Sequence, residues 1–300
     1  MLSRFGSVVL ILALLTSCKE APITPEAKAF ADSIIADMVP IKGGTYEMGD
    51  FGKKSHGLNL LPESWDLKPH QVTLDDFKLA AHRITWAQYN EYAKFADVET
   101  TRVEEWTENL FTTVNRNVPI MAASVRWEDA KAFCQWVGKA TGEIVDLPTE
   151  AQWEYAARNR GQYVVFATDN GEFEPGRNIP SPLKSAPVGQ YPPTPLGLYD
   201  MLSRDVEWVN DWYDRHYYTY SSEKNPVGPK YGEEKVARNR VSGSDIQNLT
   251  IDRSPIHPTT HFIESWRDKK ETSGDVVFRC AVHHAPLPEP TDVPPEVITP

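Results

Sequence analysis

Apolar residues recur at helical spacing in four stretches of the chain. In 25–38 (PEAKAFADSIIADM), Phe30, Ile34 and Ile35 fall on one side, and Pro25 sits at the start, where its missing N–H costs nothing. In 84–96, Trp86, Tyr89, Ala93 and Ala96 recur at i, i+3, i+7 and i+10, which predicts a helix with one buried face. Thr85 and Gln88 supply its Thr-x-x-Gln capping box. From about 126 to 137, Trp127, Ala130, Cys134 and Val137 repeat that spacing and turn Cys134 toward the core. The fourth helix starts at Pro148-Thr149 with a second box (Thr149, Gln152), carries Trp153, Ala156 and Ala157, and ends near Arg158-Asn159, before Gly161. Short strand-like runs flank these helices at 38–48, 71–79, 186–191, 205–212, 235–241 and 276–282, with much irregular chain between 161 and 235. Helices packed on short, scattered strands indicate an α+β domain. No linker divides the chain between 38 and 280, so 38–284 is read as one domain.

The two ends read differently from this body. Residues 1–17 have an early positive charge, Arg4, then an apolar run at 8–15 that is too short to span a bilayer. That is the layout of a secretory signal. Leu15-Thr16-Ser17-Cys18 resembles the lipobox of a bacterial lipoprotein signal peptide, which would make Cys18 the diacylated first residue of the mature chain. More than one acyl chain is needed for stable anchoring. Residues 18–37 form a tether and short helix. Lys19, in place of an Asp retention signal, favours the outer membrane. The expected location is therefore the cell envelope, lipid-anchored at the outer membrane and facing the periplasm or the exterior. The tail 285–300 (APLPEPTDVPPEVITP) is Pro-rich without apolar period and reads as an extended or disordered strap.

Charge narrows the partners. With 42 acidic against 31 basic side chains, the net charge of -11 argues against nucleic acid, which needs clustered Lys and Arg. Three cysteines is an odd number, so one has a role the other two do not share. Cys18 takes the lipid in this reading. Cys134 and Cys280 lie in an exported chain, where disulfides persist. They either bridge, closing a long loop worth roughly 5 kcal/mol in the chain-entropy model, or remain two separate buried thiols.

Seven blocks then line up with one family. They are MVPIKGGTYEMGD (38–50), ITWAQYNEY (84–92), PIMAASVRWEDAKAFCQWVGKATG (119–142), LPTEAQWEYAARNRG (147–161), PVGQYPPTPLGLYDMLSRDVEWVNDWYD (187–214), NPVGP (225–229) and VFRCA (277–281). In this order they resemble the formylglycine-generating-enzyme (sulfatase-modifying factor) domain. The resemblance implies an elaborated C-type-lectin-like α+β fold, and it implies that Cys134 and Cys280 are bridged.

The chemistry of that family needs more than the fold. Its namesake enzymes oxidise a substrate cysteine with O2, using two further cysteines after an "RV-RGGSW" block to bind Cu(I), a soft metal that selects thiolates. The matching stretch here, 235–267, has no cysteine, and Asn239-Arg240 replaces the Gly-Gly that follows the arginine matched by Arg238. Both the ligands and the local backbone freedom are altered. A second branch of the superfamily uses a His-x3-His-x-Glu iron motif. His257 and His261 keep the histidine spacing, but Ile263 stands at the Glu position and Glu264 one later, so loop histidines are the simpler reading of this alternative metal pair. His283 and His284, beside the tail, read as solvated. The resemblance also implies calcium sites, one at Asp205 and Glu207 with Arg204 in place of an Asn, the other beginning at Asn178-Ile179 with a shortened acidic loop. At most one Ca2+ is expected, and against it stands Glu207 pairing with Arg204 or nearby backbone. Trp208 and Trp212 read as core, while Tyr213, Tyr217, Tyr218 and Tyr220 read as a surface for protein or glycan.

The reading that follows is a non-catalytic pseudoenzyme: an envelope lipoprotein whose domain is a binding or scaffold module for an envelope protein. The expected partner groove is bordered by 203–220 and 238–267. The alternative is a divergent metal-dependent periplasmic oxidase or maturation enzyme.

Overall fold

Helix α1 (Pro25–Ala36) opens the fold much as its apolar pattern requires, with Thr24 as N-cap accepting from the Ala27 N–H and Pro25 in the first turn. The structure, a computed structural model, describes residues 21–62, 67–98, 118–180, 186–239, 249–260, 262–264 and 272–294. The signal segment, Cys18 and His261 lie outside the described residues. Ala31 and Ile34 of α1 belong to a core cluster with Trp86, Phe133 and Phe278. Helix α1 is thus part of the domain, and the packed body starts before residue 38.

The runs at 38–48 and 71–79 each fold as two strands joined by a turn: β1 (Met38–Ile41) with β2 (Gly44–Met48), and β3 (His70–Leu74) with β4 (Phe77–Ala80). A short helix α2 (Gly52–His56) follows β2. The expected helices form as α3 (Trp86–Ala96), α4 (Trp127–Thr141) and α5 (Glu150–Ala157). Thr85 with Gln88, and Thr149 with Gln152, make reciprocal capping boxes. The two-residue strand β5 (Val145–Asp146) follows α4 closely. A Cβ on Gly138 of α4 would lie 2.9 Å from the Glu143 carbonyl oxygen, so only glycine lets the chain double back here. Strands β6 (Val206–Trp212), β7 (Lys235–Arg238), β8 (Arg253–Ile256), β9 (Phe262–Glu264), β10 (Thr272–Val277) and β11 (Ala281–His283) complete the order.

These strands form three sheets. A four-stranded antiparallel sheet runs β1-β4-β11-β5, a five-stranded one β8-β7-β6-β10-β9, and β2 pairs with β3. Within the second sheet β6 and β10 are parallel. The expected single run at 276–282 is therefore two strands in two different sheets. Phe278, Arg279 and Cys280, all fully buried, carry the chain from one to the other. The expected strand at 186–191 is a turn, because Gly189 takes a left-handed φ of 73° and gives its N–H to Asp200.

Cys280 on that crossing is bridged to Cys134 of α4, across a sequence separation of 146. The described part of the tail is an extended strap. Thr291 accepts from the Lys230 N–H and donates to the Gly228 carbonyl. Replacing both bridged cysteines with alanine is expected to lower the unfolding free energy by about 2–5 kcal/mol, read as a fall in the urea midpoint of the oxidised protein. An unchanged midpoint would show that the bridge contributes nothing.

Candidate functional site

Strand β6 lies at the centre of the five-stranded sheet and points Glu207 into the interior, with no solvent exposure. Each oxygen of Glu207 is taken twice. Oε1 accepts from Arg83 Nε at 2.7 Å and Arg279 Nη2 at 2.8 Å, and Oε2 accepts from Arg279 Nε at 2.7 Å and Trp153 Nε1 at 2.8 Å. Burial would push this carboxyl up, but Arg279 and Arg83 outweigh it and bring it down to about 2. Asp205 accepts from the Asp275 N–H and lies 3.5 Å from Arg83.

This geometry corrects the expectation for calcium at Glu207. Its partners are Arg83 and Arg279, not Arg204, and they leave no oxygen for a cation. Asn178 is buried in a separate turn. Its amide donates to Asp169, Asn170 and the Glu172 carbonyl, and Arg177 pairs with both Asp169 and Glu174. Among the described residues no group of three or more His, Cys, Asp or Glu side chains is placed to hold a metal. The residues at Glu207 do not fit the ion.

A second charged layer surrounds α5, whose eight residues are all buried. Glu154 pairs with Arg158 at 2.8 Å and with Arg238 at 3.1 Å, while Glu150 pairs with Arg238 and Arg253, both at 3.0 Å. Tyr218 donates its hydroxyl to Glu150 at 3.1 Å. The Arg253 guanidinium lies 4.6 Å from the Tyr213 ring and 4.8 Å from the Tyr218 ring. Tyr217 gives its hydroxyl to the Gly228 N–H as acceptor. The expected tyrosine surface is corrected accordingly: Tyr217 and Tyr218 are each 2% exposed, drawn inward by a 3-10 turn (Tyr217–Thr219), while Tyr213 and Tyr220 are half-buried. Tyr231, at 73%, is far more exposed, and no pattern in its neighbourhood marked it.

Beside this layer Lys235 sits between two indoles, 3.8 Å from the Trp127 ring centre and 3.6 Å from that of Trp212, donating to the Asn210 carbonyl at 3.1 Å. Burial lowers its ammonium to about 7, opposed by Asp211. Asp211 is itself raised to about 7 by burial and by Glu150. Trp208 is core as expected, and Trp212 is half-buried against Trp127.

Within the altered block, Arg238 and Asn239 are described and Arg240 lies outside the described residues. Asn239 adopts φ 71°, the left-handed region that glycine would supply and asparagine tolerates. At position 239 the left-handed conformation is thus reached without glycine. His257 stands exposed on a turn, its Nδ1 bonded to Thr259, with no helix to present it to an ion; its proposed mate His261 is outside the described residues. His283 is 4% exposed inside β11, not solvated, and burial lowers it to about 4; His284 is exposed.

This architecture, with three small sheets, few helices and buried charge layers, is the C-type-lectin-like α+β fold. It covers 82% of this chain and 94% of PvdO from Pseudomonas aeruginosa, at TM-score 0.58 and 21% identity. Treponema denticola variable protein 1 matches at the same coverage and TM-score, with 18% identity. Residues 24–283 match the sulfatase-modifying factor enzyme 1-like domain, and the chain belongs to that family. Its similarity to the bovine (Bos taurus) formylglycine-generating enzyme is 24% over 303 residues, covering 83% of this chain and 75% of that protein. The bovine inactive C-alpha-formylglycine-generating enzyme 2 is 35% identical over 103 residues, covering 30% and 32%. The serine/threonine-protein kinase pkn1 of Chlamydia pneumoniae is 30% identical over 224 residues, covering 68% of this chain, which spans only 33% of that protein.

Three outcomes follow from these contacts. Glu207→Gln leaves two buried guanidiniums facing a neutral amide and is expected to cost about 3–5 kcal/mol in urea unfolding. Chelation with EDTA, followed by added calcium, is expected to leave the melting temperature unchanged; a rise with calcium would restore an ion site. Asp211 binds its proton more tightly in the fold than its ordinary value of 3.8, so its contribution is full below 3.8 and is lost as pH rises to about 7. Asp211→Asn removes that loss. The variant's melting temperature is expected to gain on the parent's as pH rises through this window, and parallel curves would refute the assignment.

Proposed function

We propose that this chain is a lipid-anchored envelope protein whose domain is a non-catalytic binding or scaffold module. The observation that carries the reading is the Cys134–Cys280 bridge. It takes both cysteines of the domain, and the third, Cys18, belongs to the lipobox-like segment ahead of it. A disulfide offers no thiolate, so the domain has no thiol pair for Cu(I), and copper-dependent cysteine oxidation does not fit its residues. Similarity to a bovine relative named as inactive accords with this.

Binding in place of catalysis also suits the way the interior is filled. Around α5 the buried glutamates and arginines are paired with one another. On this reading the contact surface is the turn after β6, with exposed Arg215 and His216 and half-buried Tyr213 and Tyr220, together with Tyr231. Its partner is an envelope protein, and the anchor is the diacylated Cys18 at the outer membrane.

The test has three arms. Cys18→Ser is expected to release the protein from the membrane fraction. In-cell crosslinking and purification of the parent should return a reproducible envelope protein, and Arg215→Glu with Tyr231→Ala should lose it without shifting the melting temperature. Incubation with a cysteine-containing peptide, Cu(I) and O2 should form no aldehyde. Aldehyde formation, or no partner across growth conditions, would overturn the proposal.

A further inference from the structure

A groove of about 340 Å3 opens where the N-terminal chain enters the domain. Its walls include Ala21, Tyr92 and Ala96 of α3, Val98, and Trp136 and Lys139 of α4. Trp136 is half-buried within an aromatic cluster, 5.3 Å from the Tyr92 ring, 6.0 Å from Phe30 and 6.3 Å from Phe95. Phe30 and Phe95 are themselves half-buried, and Val98 is 41% exposed. A groove walled by aromatic and aliphatic side chains, with exposed Gln135 and Lys139 among its lining, has the mixed side-chain chemistry of a membrane–water interface. There, indole and phenol rings sit at headgroup level and a lysine stem lies along apolar surface with its ammonium in water.

Chain length fixes what this groove can face. Only Lys19 and Glu20 separate Cys18 from Ala21, which lines the groove. Three fully extended residues reach about 11 Å. The polar headgroup layer of one leaflet is about 5–8 Å thick. A cysteine whose acyl chains are inserted in the bilayer therefore holds Ala21 against the headgroups, with no room for another protein between.

We propose that the face carrying this groove rests on the bilayer, with phospholipid headgroups and upper acyl carbons filling the groove between α3 and α4. This inference rests on the lipid-anchor reading. It adds an orientation: the domain is held flat against the membrane by a second, non-covalent contact.

The experiment uses the full chain, purified with its lipid and placed in vesicles of phosphatidylethanolamine and phosphatidylglycerol. A p-benzoylphenylalanine replaces Val98 or Ala132, which also lines the groove, or Tyr231 as an exposed control outside it. Mass spectrometry first establishes whether Cys18 is acylated. After irradiation, phospholipid adducts at 98 and 132 are expected to exceed those at 231 several-fold. Equal yields at all three positions on an acylated, membrane-bound protein overturn the orientation while leaving the anchor standing. So do adducts at 98 and 132 that join a second copy, another protein or a distant part of the same chain. An unacylated, soluble protein overturns the anchor reading and the orientation together.

Discussion

One carboxylate holds the two larger sheets in register. Glu207 stands on the central strand of the five-stranded sheet, and its ligand Arg279 stands on the crossing into the four-stranded one. The same guanidinium bonds the carbonyls of Ala80, Ala81 and Tyr199, while Arg83, just beyond β4, returns to Glu207 from another direction. Four distant segments thus converge on one buried negative charge. A buried charge with this many donors is worth little as raw stability, because desolvation offsets most of the Coulomb gain. Its effect is to make every alternative packing leave an ion unpaired.

The layer around α5 follows the same logic at larger scale. Glu150 and Glu154 are presented one turn apart, and Arg158, Arg238 and Arg253 close around them from the helix end and from two adjacent strands. Tyr218 adds a neutral donor. A site built for chemistry commonly leaves such groups facing a cleft; here they face each other.

What the sequence made legible was local. Both Thr-x-x-Gln boxes place their helix starts to the residue, and the apolar spacing of α4 turns Cys134 inward as it should. The resemblance to the family paired Cys134 with Cys280, a pairing that spacing alone left open. The charge layers were hidden because their members are far apart: Arg83 and Glu207 are separated by 124 residues, Glu207 and Arg279 by 72. A lone Glu in a strand pattern carries no sign of which arginine meets it. Tyr217 and Tyr218 misled for a related reason. Flanked by His216 and Thr219, they read as surface, but Glu150 and the Gly228 N–H, distant in sequence, supply the hydroxyl partners that let them enter the interior. At position 239 an asparagine takes the left-handed φ that glycine more often supplies, which spacing along the sequence does not reveal.

Strands β10 and β11 come last among the described strands, and contacts of such long sequence separation form late in folding. Strand β10 fills the gap between β6 and β9, and β11 the gap between β4 and β5, so each larger sheet is interrupted until the last part of the domain arrives. Arg279 and Cys280 arrive with them. A chain that stops before this point leaves Glu207 with Arg83 and Trp153 but without Arg279, Cys134 unpaired and two sheets split. Without those two strands the domain lacks its long-range contacts, which favours a loose chain that closes as a unit once they arrive. A domain wired this way is threadable while those two strands are missing, and resists unravelling once they are in place.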